Sequence, residues 1–129
     1  MALRASYTFT NSDRQIPGQG LQPEYVIPKH LLGVTLTQRY RAFLFNFDLN
    51  RTGSYIAPVF ENNLPFRTAE FKFAGFTKGD VFVSYERRQT ERVTLVLFGG
   101  VENVFNQRYY ENGFLAPRAL GRGGVSIRF

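Results

Sequence analysis

The chain has no cysteine among its 129 residues. A disulfide framework, a CxxC redox pair and a thiolate metal site are therefore closed to it. The count suits a cytosolic and an outer-membrane protein alike. Methionine occurs once, as Met1, and histidine once, as His30. His30 follows Pro28-Lys29 with no Ser or Asp signature nearby, so it reads as a strand-end interface residue rather than part of a triad or metal site. Long hydrophobic runs are missing too. The longest, around residues 95–101, falls far short of the roughly 20 residues of a membrane helix. Residues 1–4 lead straight into an alternating segment, without the apolar region or small-residue cleavage site of a secretory leader. A membrane-spanning role must use strands, and an outer-membrane protein with this sequence would have further chain ahead of Met1.

What is present points the same way. Phe (14), Tyr (7) and Gly (12) are abundant. Aromatics favour pleated surfaces, while Gly marks turns, bulges and bends. The net charge of +6 suits nucleic acid, anionic lipid or an anionic ligand. Its Arg residues are scattered rather than clustered, so charge alone selects none of these.

The dominant hydrophobic period is two. Leu3, Ala5, Tyr7 and Phe9 alternate with polar residues. Leu32, Val34 and Leu36 alternate less cleanly with Gly33, Thr35 and Thr37; Phe43, Phe45, Phe47 and Leu49 alternate with Leu44, Asn46, Asp48 and Asn50; Val81, Val83 and Tyr85 with Phe82, Ser84 and Glu86; Val93, Leu95, Leu97 and Val101 share one parity of a longer strand; and Val125, Ile127 and Phe129 alternate with Ser126 and Arg128. This predicts an all-β fold, an antiparallel up-and-down meander of about six strands. Long connections are expected at residues 11–28, 56–67 and 111–122, and tight turns at 39–41 and 87–90. Long loops at one end and short turns at the other are the pattern of a transmembrane barrel. The three descending strands each carry an aromatic at the short-turn end (Tyr40, Tyr85 and Phe129), as an interfacial girdle requires.

Alternation alone does not say whether the apolar side faces lipid or a dry core. Edges weigh on the choice. In lipid each unsatisfied backbone group costs several kcal/mol, and single-chain bacterial barrels start at about eight strands. Six strands therefore belong to a larger barrel, to a soluble domain, or to an assembly of copies.

One segment narrows the choice. Gly100-Val101-Glu102-Asn103-Val104-Phe105-Asn106-Gln107-Arg108-Tyr109-Tyr110 resembles the GVENLFN-x-RYY segment of TonB-dependent receptors, on the next-to-last strand of their barrel. Tyr25-Val26-Ile27-Pro28-Lys29-His30 resembles that family's YVP-x-H approach to an earlier strand. Gly53-Ser54-Tyr55 resembles a Gly–polar–Tyr step near the end of an ascending one. At the C-terminus, Arg122, Gly124, Ile127 and Phe129 match the assembly signal of outer-membrane barrels. The similarity covers nearly the whole chain, but its specific part is the C-terminal third.

The resemblance implies a parent barrel of about 22 strands with a plugged lumen. Residues 1–129 would supply its last six strands as a partial transmembrane β-barrel, with plug domain and energy-coupling box absent. It implies the bacterial outer membrane as location. It also implies an active-transport receptor for a siderophore, cobalamin or similar nutrient, in which this chain contributes scaffold and no enzymatic step. The implied partners are outer-membrane lipid and lipopolysaccharide, the barrel-assembly machinery, and the rest of the barrel and plug with TonB. Lipid-facing positions are Leu3, Tyr7, Phe9, Phe43, Phe45, Phe47, Val81, Val83, Tyr85 and Val125. Candidate ligand contacts in the loops are Tyr55, Phe60, Phe66, Arg67, Tyr110, Phe114 and Arg118, where rings and guanidinium groups suit an anionic aromatic iron chelate. No cofactor, metal or catalytic residue is expected.

The alternative is a soluble basic β-module that binds single-stranded nucleic acid by stacking in a basic groove. Against it, many Phe share parity with Val and Leu, and so belong to one apolar surface. Gly121-x-Gly123-Gly124 is no nucleotide loop, because no helix follows it.

Overall fold

The computed structural model describes every residue except 62–66 and 112, and the backbone but not the side chains of Glu61 and Arg67. The described residues form strands and no helix. Six strands make one antiparallel sheet in which sequence neighbours are spatial neighbours: β1 (Ala2–Phe9), β4 (His30–Tyr40), β5 (Phe43–Thr52), β8 (Phe76–Arg88), β9 (Thr94–Glu102) and β12 (Leu120–Arg128). These are the six strands expected from the period-two pattern. The long connections differ from expectation, because each contains a two-stranded hairpin: β2 (Asp13–Ile16) with β3 (Gly20–Pro23), β6 (Tyr55–Glu61) with β7 (Arg67–Phe73), and β10 (Tyr110–Glu111) with β11 (Phe114–Leu115).

Several boundaries also move. The first tight turn falls at residues 41–42, where Arg41 takes a positive φ of 52°. The second begins at Gln89, since β8 runs on to Arg88. There Thr90 holds the turn by accepting the Val93 N–H at its hydroxyl. β8 starts at Phe76 and β12 at Leu120, both earlier than the apolar count suggests, because Lys78 and Asp80, and Arg122, sit on the polar side of their strands.

Register gives the sheet a tilt. One row of paired residues runs Ala2, Thr37, Asn46, Phe82, Gly100, Arg122. In β1 that row is the first residue, whereas in β12 six further residues follow it. At the opposite end seven residues lie beyond the row in β1 and two in β12. The strands thus slide by about one residue per step. With a rise of about 3.3 Å per residue and a spacing of about 4.8 Å, this corresponds to a tilt of roughly 37°, the range found in closed barrels. The sheet is nevertheless open. Neither β1 nor β12 has a second neighbour.

Among the described residues the sheet has no second layer. Substantial strand–strand contacts are all between hydrogen-bonded neighbours. The only apolar cluster of buried residues among those described is Tyr55, Ala57 and Phe73, in and beside the β6–β7 hairpin. A compact monomer of 14.8 kDa exposes about 7,000 Å², but this chain exposes 9716 Å².

The best-fastened point is the turn after β9. Of the GVENVFNQRYY segment, Gly100, Val101 and Glu102 end β9 and Tyr110 begins β10; residues 103–109 fold over the sheet end. Asn103 is 2% exposed and has a φ of 50°, a conformation Asn tolerates better than most residues. Its N–H donates to Asp80 (2.8 Å), its Nδ2 to the carbonyls of Gln107 and Pro117 (3.0 and 3.1 Å), and its Oδ1 accepts the Gln107 N–H. Asn106, also at positive φ, accepts the Ala119 N–H. Gly79 makes room for Phe105, whose ring would lie 2.7 Å from a Cβ there. Tyr109 stacks on Phe76 with ring centroids 4.1 Å apart. The segment is a clamp joining β8, β9 and the approach to β12. Replacing Asn103 by Ala leaves two carbonyls and an N–H without their partner. Denaturant unfolding should show a loss of about 2–3 kcal/mol; a change within error of zero contradicts the clamp.

Candidate functional site

Because strand side chains alternate, the register sorts the sheet into two faces. One carries Leu3, Ala5, Tyr7 and Phe9; Leu32, Val34 and Leu36; Phe43, Phe45, Phe47 and Leu49; Val81, Val83 and Tyr85; Leu95, Leu97 and Val101; and Val125 and Ile127. All ten residues expected to be lipid-facing lie on it. Nothing covers them: Leu3, Tyr7, Phe9 and Val125 are 58–64% exposed, in contrast to a dry core.

The other face is polar and internally paired. Thr35 donates to Asp48 at 2.6 Å. Lys78 pairs with Asp80, Arg122 with Glu102, and Arg128 with Glu86, at 3.0–3.2 Å. Phe82 and Phe98 stack on this side, and Gly100 and Gly124 provide the space: a Cβ on Gly124 would sit 2.7 Å from the Phe98 ring. The residues of the C-terminal signal therefore divide. Arg122 and Gly124 lie on the polar face, Ile127 on the apolar one, and Phe129 stands free at the strand end, 94% exposed.

Polar residues bound the apolar face at one end, and aromatic residues with an arginine bound it at the other. At the long-loop end are His30, whose Nδ1 hydrogen-bonds the Tyr7 hydroxyl at 2.8 Å, and Arg51, which donates to Thr77 at 2.9 Å. At the short-turn end are Tyr40, Arg87 and Phe129. Measured along the line of the stagger, His30, Arg51 and Thr77 fall within about 4 Å of one level, and Tyr40, Arg87 and Phe129 within about 2 Å of another. The levels are about 25 Å apart, with Tyr85 one same-face step inside the lower one. Of the three aromatics expected at the short-turn end, Tyr40 and Phe129 share a level and Tyr85 stands one step above it.

Beyond the upper level the hairpins interlock. Arg14 of β2 lies over the Tyr25 ring, 3.5 Å from its centroid, and pairs with Glu70 of β7 at 3.2 Å; Tyr25 also donates to Glu70. The hydrogen bond with Tyr25, then the neighbouring charges, hold the Arg14 pKa above its ordinary value despite some desolvation. Burial pushes the Tyr109 phenol up, partly offset by Lys78.

The candidate loop contacts have unlike surroundings. Tyr55 is 6% exposed; its ring stacks on Phe73 and its hydroxyl donates to the Tyr110 carbonyl at 3.0 Å. Tyr110 packs on the same Phe73. Phe60 and Phe114 are about four-fifths exposed and Arg118 is exposed. Phe66 and the Arg67 side chain lie outside the described residues. Among the cavities the loops form, two not foreseen from sequence flank the long-loop end of the sheet. One, of about 360 Å³, is lined by Pro23, Glu24, Ile27, Lys29, His30, Ser54, Tyr55, Ile56 and Lys72. The second, of about 250 Å³, is lined by Val26, Pro28, Leu31, Thr52, Tyr55, Phe76 and Glu111. His30 places the first on the apolar side of the sheet, while Leu31, Thr52 and Phe76 place the second on the polar side. Alternation across residues 67–73 was the available signal for Lys72. Among the described residues no group of three His, Cys, Asp or Glu side chains could hold a metal ion. Comparison with protein-family models, with curated proteins and with solved structures finds no match.

Proposed function

We propose that this chain forms the C-terminal part of a bacterial outer-membrane β-barrel, a transport receptor for a siderophore, cobalamin or similar nutrient. The observation that carries the barrel reading is the uncovered apolar face, on a sheet staggered by about one residue per strand and bounded by a polar level and a largely aromatic one about 25 Å apart. That spacing equals the apolar band of outer-membrane barrels. Strands outside the described sheet pair with the free edges of β1 and β12. The polar face, with its ion pairs, then lines the lumen. The C-terminal strand presents Ile127 and Phe129 to the assembly machinery as an edge with alternate side chains for selectivity.

The transport reading rests on the GVENVFNQRYY segment and the terminal Arg122, Gly124, Ile127 and Phe129 pattern. In it the hairpins at the upper level hold the substrate-facing surface, and the ion-paired wall of the lumen gives the displaced plug a rigid partner. The chain supplies scaffold and performs no bond-making step.

Two measurements test the proposal. In the folded barrel Phe45→Arg should lower stability by about 2–4 kcal/mol, as a charge on the lipid face near the bilayer midplane does, whereas Asn46→Arg, on the lumen side, should change it far less. Equal penalties contradict the assigned faces. For transport, iron-starved cells that carry the complete barrel should accumulate radioactive iron, given as a ferric catecholate, or labelled cobalamin, and lose this when the membrane is de-energised. Uptake of neither, from a barrel correctly inserted, contradicts the receptor reading.

A further inference from the structure

The two open edges of the sheet are complementary to each other. The six strands alternate in direction, so β1 and β12 run antiparallel. β12 of one copy can therefore meet β1 of another with both apolar faces on the same side. Ladder hydrogen bonds alternate between the two sides of a strand. β1 uses its even-numbered residues toward β4, as the Thr10 N–H donating to the Lys29 carbonyl just past the strand end shows. The same alternation carried across the sheet gives β9 the even-numbered residues of β12. The groups left at the open edges belong to Leu3, Ala5, Tyr7 and Phe9 on β1, and to Gly121, Gly123, Val125 and Ile127 on β12.

One further step of the same stagger fixes the register. Ile127 then faces Leu3, Val125 faces Ala5, Gly123 faces Tyr7 and Gly121 faces Phe9, and every residue of β1 has a partner in β12. Tyr7 and Phe9 pack on His30 at one side yet are 62% and 58% exposed. A Cβ on Gly121 would meet nothing within 4 Å. The bulkiest side chains of one edge thus fall opposite bare backbone on the other, which an aromatic ring can cover. On the polar face Arg4 falls opposite Ser126, Thr8 opposite Arg122 and Ala2 opposite Arg128, so no like charges meet directly. A slip by two residues one way sets Arg4 against Arg128, and the other way carries Phe9 past the end of β12.

We propose that β12 of one copy of this chain pairs with β1 of a second, head to tail, and that copies close the cylinder between them. The inference rests on the barrel reading and not on the receptor reading, in which further strands of one longer chain would occupy both edges. Head-to-tail contacts generate a ring where the rotation closes. Each copy brings six strands and one residue of stagger per strand, which leaves the tilt unchanged around the ring.

Because the chain lacks cysteine, introduced thiols report the contact. Arg4→Cys and Ser126→Cys, on separate chains mixed in equal amounts, are folded into phosphatidylcholine vesicles and oxidised. They should give a disulfide-linked dimer, since directly opposed residues of an antiparallel pair lie within disulfide range. Either variant alone should give none. Arg4→Cys mixed with Arg128→Cys, one same-face step out of register, should give far less. A chain carrying both Arg4→Cys and Ser126→Cys should give a ladder of linked species that ends at the copy number of the ring. Thr8→Arg, which sets like charges opposite each other, should weaken association about fivefold, and Thr8→Glu should not. The inference is overturned if the inserted chain is a monomer without the mixed cross-link, if Arg4→Cys alone cross-links as well as the mixture, or if the ladder has no end. A chain that stays out of the vesicles altogether overturns the barrel reading itself.

Discussion

The structure turns on one mismatch: a sheet of six strands with a hydrophobic face that no part of the described chain covers. Burying apolar area contributes about 25 cal/mol per Å². The excess surface over a compact monomer is over 2,000 Å² on the scaling used above, so leaving it in water forgoes tens of kcal/mol. A stable domain has a margin of only about 5–15 kcal/mol. Leaving that face in water is therefore costly, and the free edges of β1 and β12 are templates for further pairing. In the barrel proposed above, hydrocarbon would cover the face and closure of the sheet into a cylinder would pair the edges.

The remaining features fit around that constraint. The stagger sets the tilt that closure needs. The polar face pairs part of its charge internally, through Lys78 with Asp80, Arg122 with Glu102, and Arg128 with Glu86. In a lumen this matters more than in bulk water, since partly buried charges are screened less. The clamp around Asn103 fastens the crossing from β9 to β12 at the sheet end, and the lock of Arg14, Tyr25 and Glu70 ties two hairpins that have no layer beneath them.

The sheet was legible because each of its strands repeats a period-two pattern over several residues, as in Phe43, Phe45, Phe47 and Leu49. Every position expected on the apolar face lies there, since alternation carries face as well as strand. The hairpins were hidden because β2, β3, β10 and β11 are two to four residues long, and Pro23 and Pro58 sit within strand bounds where Pro usually argues against a strand. The packing of the loop-contact set was not legible either: the Tyr55 ring stacks on Phe73 and its hydroxyl donates to the Tyr110 carbonyl, partners that the sequence does not bring together. Nor does the GVENVFNQRYY spelling reveal that its two Asn residues are turn formers with left-handed backbones; that follows only once Asp80, Pro117 and Ala119 are brought beside them.

The central claim is the direction of the apolar face, and the absence of Trp from the chain makes it directly measurable. Single-Trp variants at Leu97 and at the polar-face neighbour Val96 would be folded into vesicles whose acyl chains carry bromine. The account predicts strong quenching and blue-shifted emission for the Leu97 variant and weak quenching for the Val96 variant. Equal quenching at the two positions, or a water-soluble monomer in which the Leu97 probe is shielded from brominated lipid, would contradict it.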